Sequence, residues 1–212
     1  MKRREIITPG EYYHVFNRGI EKRRIFLKKV DYERFINLLT LFNTDKPGWL
    51  VNDILETGAG FFPTDAERLV ELVAYCVNSN HFHLLLKENQ KNGIATFMKK
   101  VCTGYAMYFN KKNERSGILF QGRFKSVHID SNDLLLYISA YVNCNSEIHN
   151  IEKSENYQWC SFPEYLDNRK GLCQKAIILD QFANAGNYGD FCYDKVVGMK
   201  KKKELENKVF EN

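Results

Sequence analysis

Leu69-Val70-Glu71-Leu72-Val73-Ala74-Tyr75-Cys76-Val77, then Asn78-Ser79-Asn80, then His81-Phe82-His83-Leu84-Leu85-Leu86, decide how this chain folds. The first run is almost wholly apolar and rich in strand formers, the three polar residues after it form a turn, and the last six return to strand composition. Two strands joined so closely pair antiparallel, because a parallel return needs a long crossover. Side chains alternate along a strand, so His81 and His83 share one face and Phe82 takes the other. Two imidazoles on one face can hold one divalent ion and leave positions open for substrate oxygens. Surface and structural histidines show the same spacing, so the pair alone does not decide for a metal.

Working outward, Tyr12-Tyr13-His14-Val15-Phe16-Asn17-Arg18 predicts a first strand. From Asp31 to Asn43 the apolar residues Phe35, Leu38, Leu39 and Phe42 recur at helical spacing behind an acidic first turn. Pro47-Gly48 and the stretch Thr57 to Pro63 mark a loop that carries an insertion. Ile94, Phe97, Met98, Val101, Tyr105, Tyr108 and Phe109 predict a second helix over roughly 93–110, in which Gly104 signals a close packing or a ligand approach. A basic loop from Lys111 to Gly117 leads into a strand over 118–129 with an irregularity at Gly122. Ser131-Asn132-Asp133 supplies N-cap chemistry for a third helix through about Asn145. Its buried stripe is Leu134, Leu135, Ile138 and Val142, and Tyr137, Tyr141 and Asn145 follow along a neighbouring face. Short helical pieces and loops are expected over 157–212, with Lys200 to Lys203 as a solvated tail. This order of elements gives an α+β fold, an antiparallel sheet with helices packed on it.

A chain of 212 residues with 44% apolar and 27% charged side chains has the make-up of one globular domain with a real core, not of a disordered polymer. The net charge of +5 is compatible with a phosphate-bearing partner, and the supply of Tyr and Phe suits stacking on unpaired bases. Lys99, Lys100, Lys111, Lys112, Arg115, Arg123 and Lys125, with Arg18 in the first strand, are the candidate phosphate contacts. The six cysteines include no C-x-x-C pair and sit among apolar neighbours, which argues for buried, reduced thiols and against a zinc knuckle. The first residues lack the apolar run of a signal peptide, and no stretch approaches a membrane span. A soluble, cytoplasmic protein is expected.

Five segments, taken in order, carry a resemblance. They are Tyr12-Tyr13-His14-Val15-Phe16-Asn17-Arg18-Gly19; Asn80-His81-Phe82-His83-Leu84-Leu85-Leu86; Leu119-Phe120-Gln121-Gly122-Arg123-Phe124-Lys125-Ser126; Tyr141-Val142-Asn143-Cys144-Asn145; and Tyr157-Gln158-Trp159-Cys160-Ser161-Phe162-Pro163-Glu164-Tyr165-Leu166. Over roughly residues 8–185 the chain resembles the IS200-like transposases, and more narrowly the REP-associated tyrosine transposases. The resemblance implies a histidine–hydrophobic–histidine nuclease fold on a ferredoxin-like sheet. It implies a nuclease domain over 8–150 and a helical extension over 151–212. His81 and His83 take the place of the metal ligands, Tyr141 that of the nucleophile, and Asn145 that of a third ligand which is glutamine in related transposases. Mg²⁺ or Mn²⁺ is the implied cofactor, and single-stranded DNA bearing a hairpin the implied partner of a monomer or homodimer. The chain departs from the narrower group at Cys144-Asn145-Ser146, where Asn-Pro is usual; losing that proline alters how the helix ends. Tyr137, one turn before Tyr141, is a rival nucleophile. The competing functions are a DNA-binding module that keeps the fold without catalysis and a metal-dependent hydrolase. No carboxylate stands at a revealing spacing from the histidine pair to favour the latter.

Overall fold

The computed structural model describes residues 7–45, 67–167 and 169–210. The loop expected around Pro47-Gly48 and Thr57–Pro63 lies outside them. A four-stranded antiparallel sheet in the order β2-β3-β1-β4 is built from β1 (Tyr12–Arg18), β2 (Val70–Asn78), β3 (His81–Glu88) and β4 (Lys125–Ile129). The hairpin expected from the opening stretch forms, with Asn78 opposite His81 and Val77 opposite Phe82. On the other side of β3, Phe16 pairs with His83 and Arg18 with His81. Directly opposite residues share a face, so β1 brings Phe16 and Arg18 beside the two histidines.

One face of the sheet is covered by α1 (Lys29–Leu41) and α2 (Gly93–Lys112). Phe82 points into this layer, its ring 4.8 Å from Phe35 of α1, and Phe35 in turn meets Tyr105 of α2 edge-on at 5.3 Å. Asp31, fully buried, organises the start of α1: its carboxylate accepts from the backbone N–H groups of Leu27 and Lys28 at 2.9 Å, from the Tyr108 hydroxyl at 2.9 Å, and from the Lys112 ammonium. Glu88, at the end of β3, accepts from the N–H groups of Gly93 and Ile94 and so closes the N-terminus of α2. Gly104 is a packing glycine. A Cβ there would stand 2.5 Å from Cε2 of Phe42, a buried ring at the end of α1. Gly104→Ala gains helix propensity yet is expected to lower stability by about 1–3 kcal/mol, read as a shifted urea midpoint at unchanged slope.

The other face carries α3 (Asn132–Asn143), capped by the Ser131 hydroxyl, and the short α4 (Asn145–Ile148) that follows a break at Cys144. The third helix therefore ends two residues earlier than the expected 145, and Asn145 opens a new turn. Two other expectations are corrected. The strand expected over 118–129 is confined to 125–129; the residues before it turn at Gly122 (φ 77°) and meet the end of β1 through a bridge between Gly19 and Phe120, a bond from Gln121 N–H to Arg18 O and one from the Asn17 side-chain NH₂ to Gly122 O. The expected basic loop from Lys111 begins later, because Lys111 and Lys112 still belong to α2.

The C-terminal region is more regular than its sequence suggested. After α5 (Phe162–Leu166) and α6 (Ala176–Leu179), α7 runs from Ala185 to Phe210. It buries Tyr188, Cys192, Val196 and Met199, a helical stripe interrupted in sequence by Gly189 and Gly198. Lys200, read as part of a solvated tail, instead bonds Glu147 at 3.2 Å. The segment between α4 and α7 lines the outer edge of β2. Val77 N–H donates to Trp159 O, Ser161 N–H to Tyr75 O, and the Tyr157 and Tyr165 hydroxyls reach Val77 O and Val73 O. An open strand edge is thereby covered. All six cysteines are free thiols, and five of them are buried. Among the described residues no helix is long and apolar enough to cross a membrane.

Candidate active site

The face of β3 that looks toward α3 holds His81 and His83, 5% and 8% exposed, with ring centroids 5.1 Å apart and planes nearly perpendicular. Their neighbours assign the protons. Asn80 donates its side-chain NH₂ to Lys22 O at 3.0 Å, so its Oδ1 is the atom 2.6 Å from His81 Nδ1 and accepts that N–H. His81 Nε2 is then the unprotonated nitrogen. The NH₂ of Asn78 points at this lone pair (3.1 Å) and at Oδ1 of Asn145 (2.6 Å), and the two acceptors stand 3.3 Å apart. Asn145 is fully buried and its own NH₂ has no hydrogen-bond partner.

This donor set fits a small divalent ion. Ligands each about 2.0–2.2 Å from one ion stand roughly 3–3.5 Å apart, the separation of His81 Nε2 and Asn145 Oδ1. The electropositive NH₂ of Asn78 faces both lone pairs in the way a cation would. Among the described residues no group of three or more His, Cys, Asp or Glu side chains is arranged as a metal site, and an ion held here would draw on the amide oxygen alongside the imidazoles. Burial lowers the pKa of His81 to about 4, with Arg18 adding to the effect. Burial first, then the neighbouring imidazoles, holds His83 well below its ordinary range. Burial takes His14 to about 4, and burial followed by His81 takes His149 to about 3. All four rings are neutral near pH 7 and able to offer a lone pair.

Tyr141 meets this pair from α3. Its ring lies edge-on to His83 at 5.4 Å and to His14 at 5.7 Å. A cavity of about 290 Å³ opens between them, lined by Tyr141, His81, His83 and His149 and rimmed by Arg18 and Lys125. Tyr137 does not line it; it is 36% exposed. The expected continuous face of Tyr137, Tyr141 and Asn145 is interrupted: α3 ends at Asn143, only Tyr141 of the three lines the cavity, and the break at Cys144 turns Asn145 inward, where it is fully buried.

The candidate phosphate contacts separate into groups. Arg18 and Lys125 reach the cavity. Lys99, Lys100, Lys111 and Lys112 sit on α2, the layer behind the sheet. Of these, Lys100 donates to Thr44 O at 2.6 Å and Lys112 is held by Asp31. Arg115 is tied to Asn110 and to Ile118 O, and Arg123 is exposed in the turn before β4. The sequence alone does not mark His14, Asn78, Asn80 or His149 as site residues. His14 meets His83 through the β1–β3 register, and Asn80, in the turn before β3, bonds its neighbour His81 and Lys22 O. His149 is half-buried with its ring 4.7 Å from His81; nothing in the local sequence set it apart.

Residues 61–145 match the family described as "Transposase IS200 like". Among solved structures, the chain overlays that of a REP-associated tyrosine transposase bound to a REP hairpin with a TM-score of 0.55 at 14% identity, covering 81% of this chain and 87% of that one. At that identity the overlay establishes the shared fold. A putative transposase from Deinococcus radiodurans (16% identity, 72% of this chain and 99% of that one) and a tRNA(His) guanylyltransferase from Saccharomyces cerevisiae (13% identity, 91% and 75%) each overlay with a TM-score of 0.38. No curated protein matches the sequence.

Proposed function

We propose that this chain, whose residues 61–145 match the IS200-like transposases, nicks and rejoins single-stranded DNA through a covalent bond to Tyr141. The observation that carries the reading is the approach of the Tyr141 ring to His83 within one chain, at a cavity of about 290 Å³ that both side chains line. In the reaction the phenol oxygen attacks the scissile phosphorus and gives up its proton. A P–O bond forms to tyrosine, the bond to the 3′-oxygen breaks, and that oxygen leaves as a free 3′-hydroxyl after taking a proton. The product is a 5′-phosphotyrosine. Because one phosphoester replaces another, a 3′-hydroxyl can later reverse the step and reseal DNA without ATP.

His81, His83 and Asn145 would hold Mg²⁺ or Mn²⁺, which supplies Lewis acidity to the phosphate when bound. Arg18 and Lys125 at the rim offset phosphate charge. The neutral histidines add no charge of their own. DNA carrying a hairpin next to a single-stranded segment is the proposed substrate, in keeping with the ligand of the overlaid relative. A full set of groups on one chain favours action in cis, so a monomer suffices. The test is to incubate the protein with hairpin-bearing single-stranded oligonucleotides and Mn²⁺ and resolve the products on a denaturing gel. A protein–DNA adduct that survives denaturation is expected. Tight hairpin binding with no adduct from any genomic palindrome favours a silent binding module instead.

A further inference from the structure

We infer that His14 is a positioning residue that prepares His83 to bind metal, by accepting a hydrogen bond from its Nδ1–H and leaving its Nε2 bare. The inference rests on the metal-site reading given above and assigns a role to a first-strand residue with no part in that donor set. A neutral imidazole has one N–H and one lone pair, and only the bare nitrogen can ligate. For His81, Asn80 settles which nitrogen that is. For His83 the corresponding contact is His14 Nε2, 2.8 Å from His83 Nδ1, between two buried rings. One proton fills this contact. If His14 supplied it, His83 would carry its own proton on Nε2 and have no lone pair to offer. If His83 supplies it, Nε2 is free. Imidazoles that bind metals almost always give their second N–H to a fixed acceptor.

His14 is held firmly enough for that task. Its ring lies side by side with that of His83, centroids 5.0 Å and planes 21° apart as an in-plane hydrogen bond requires, stands 5.0 Å from Phe16, and is met edge-on by Tyr141. The β1–β3 register keeps it in place: Phe16 stands opposite His83, and His14 is two residues further along β1 on the same face. His14 thus packs against a proposed ligand and the proposed nucleophile together. A neutral acceptor here also avoids burying a carboxylate charge.

Two measurements test this. In ¹⁵N-labelled, metal-free protein near neutral pH, long-range ¹H–¹⁵N spectra should show His83 as the Nδ1–H tautomer. Mn²⁺ titrations followed by the EPR signal of the free ion then compare wild type with His14→Leu, His14→Gln and His83→Ala. Binding should disappear in His83→Ala and weaken about 10–100-fold in His14→Leu. It should return largely in His14→Gln, whose side-chain carbonyl can accept the same proton. An Nε2–H tautomer at His83 in wild type overturns the inference. So does His14→Leu binding within about twofold of wild type while His83→Ala has lost it. If His83→Ala binds like wild type, the metal-site reading itself fails and takes this inference with it. Should His14→Leu not fold, the wild-type tautomer decides alone.

Discussion

Replacing Tyr141 by Phe is expected to abolish the covalent protein–DNA adduct, a loss of at least about 10⁴-fold, while leaving hairpin affinity within about twofold. The substitution removes one oxygen from a partly buried ring and keeps the edge-on contacts with His83 and His14. Stability should therefore change by no more than about 1 kcal/mol, so loss of the adduct reads as chemistry and not as unfolding. Tyr137→Phe is the matched control. Tyr137 lies one turn away on the same helix and outside the cavity, and its variant should form adduct at the wild-type rate. The reverse pattern, adduct lost with Tyr137→Phe and kept with Tyr141→Phe, would move the nucleophile to the other turn and contradict the geometry of the pocket.

A second large effect is expected far from the cavity. Asp31→Ala should cost about 3 kcal/mol of folding stability. It removes the acceptor for two backbone N–H groups at the head of α1, for the Tyr108 hydroxyl, and for Lys112. Burial by itself would raise the Asp31 pKa, but the bond from Lys112 and those from Lys28, Leu27 and Tyr108 outweigh it and hold the carboxyl below its ordinary 3.8. A folded-state value below the unfolded one contributes stability that is present above pH 3.8 and lost as pH falls through the folded value. The difference between wild type and Asp31→Ala, followed by urea melts from pH 7 downward, should thus be constant to about pH 4 and shrink below it. A gap that stays constant well below pH 3 would mean that the Asp31 charge contributes nothing to the fold. The pairing also removes Lys112 from the supply of cations that DNA can readily engage.

The amino-acid order by itself determined the hairpin, the common face of His81 and His83, and the α+β layering. Each of these follows from a local period of two or 3.6 residues that any backbone obeys. The proposal of Tyr141 as nucleophile comes from motif resemblance, since helical periodicity treats Tyr137 and Tyr141 alike. Which of the two lines the cavity is a matter of tertiary structure, because the side of α3 that meets the sheet depends on how that helix docks between β2, β3 and α7. The same holds for His14 and Asn145, which reach the histidines through strand register and a helix break at Cys144. The helix α7 is not legible in the sequence because its glycines and lysines mask a buried stripe whose partners, such as Ser139, Asn143, Phe162 and Tyr165, belong to elements distant in sequence. Local periodicity tells what an element is; long-range pairing decides what it touches, and the chemistry proposed here depends on the latter.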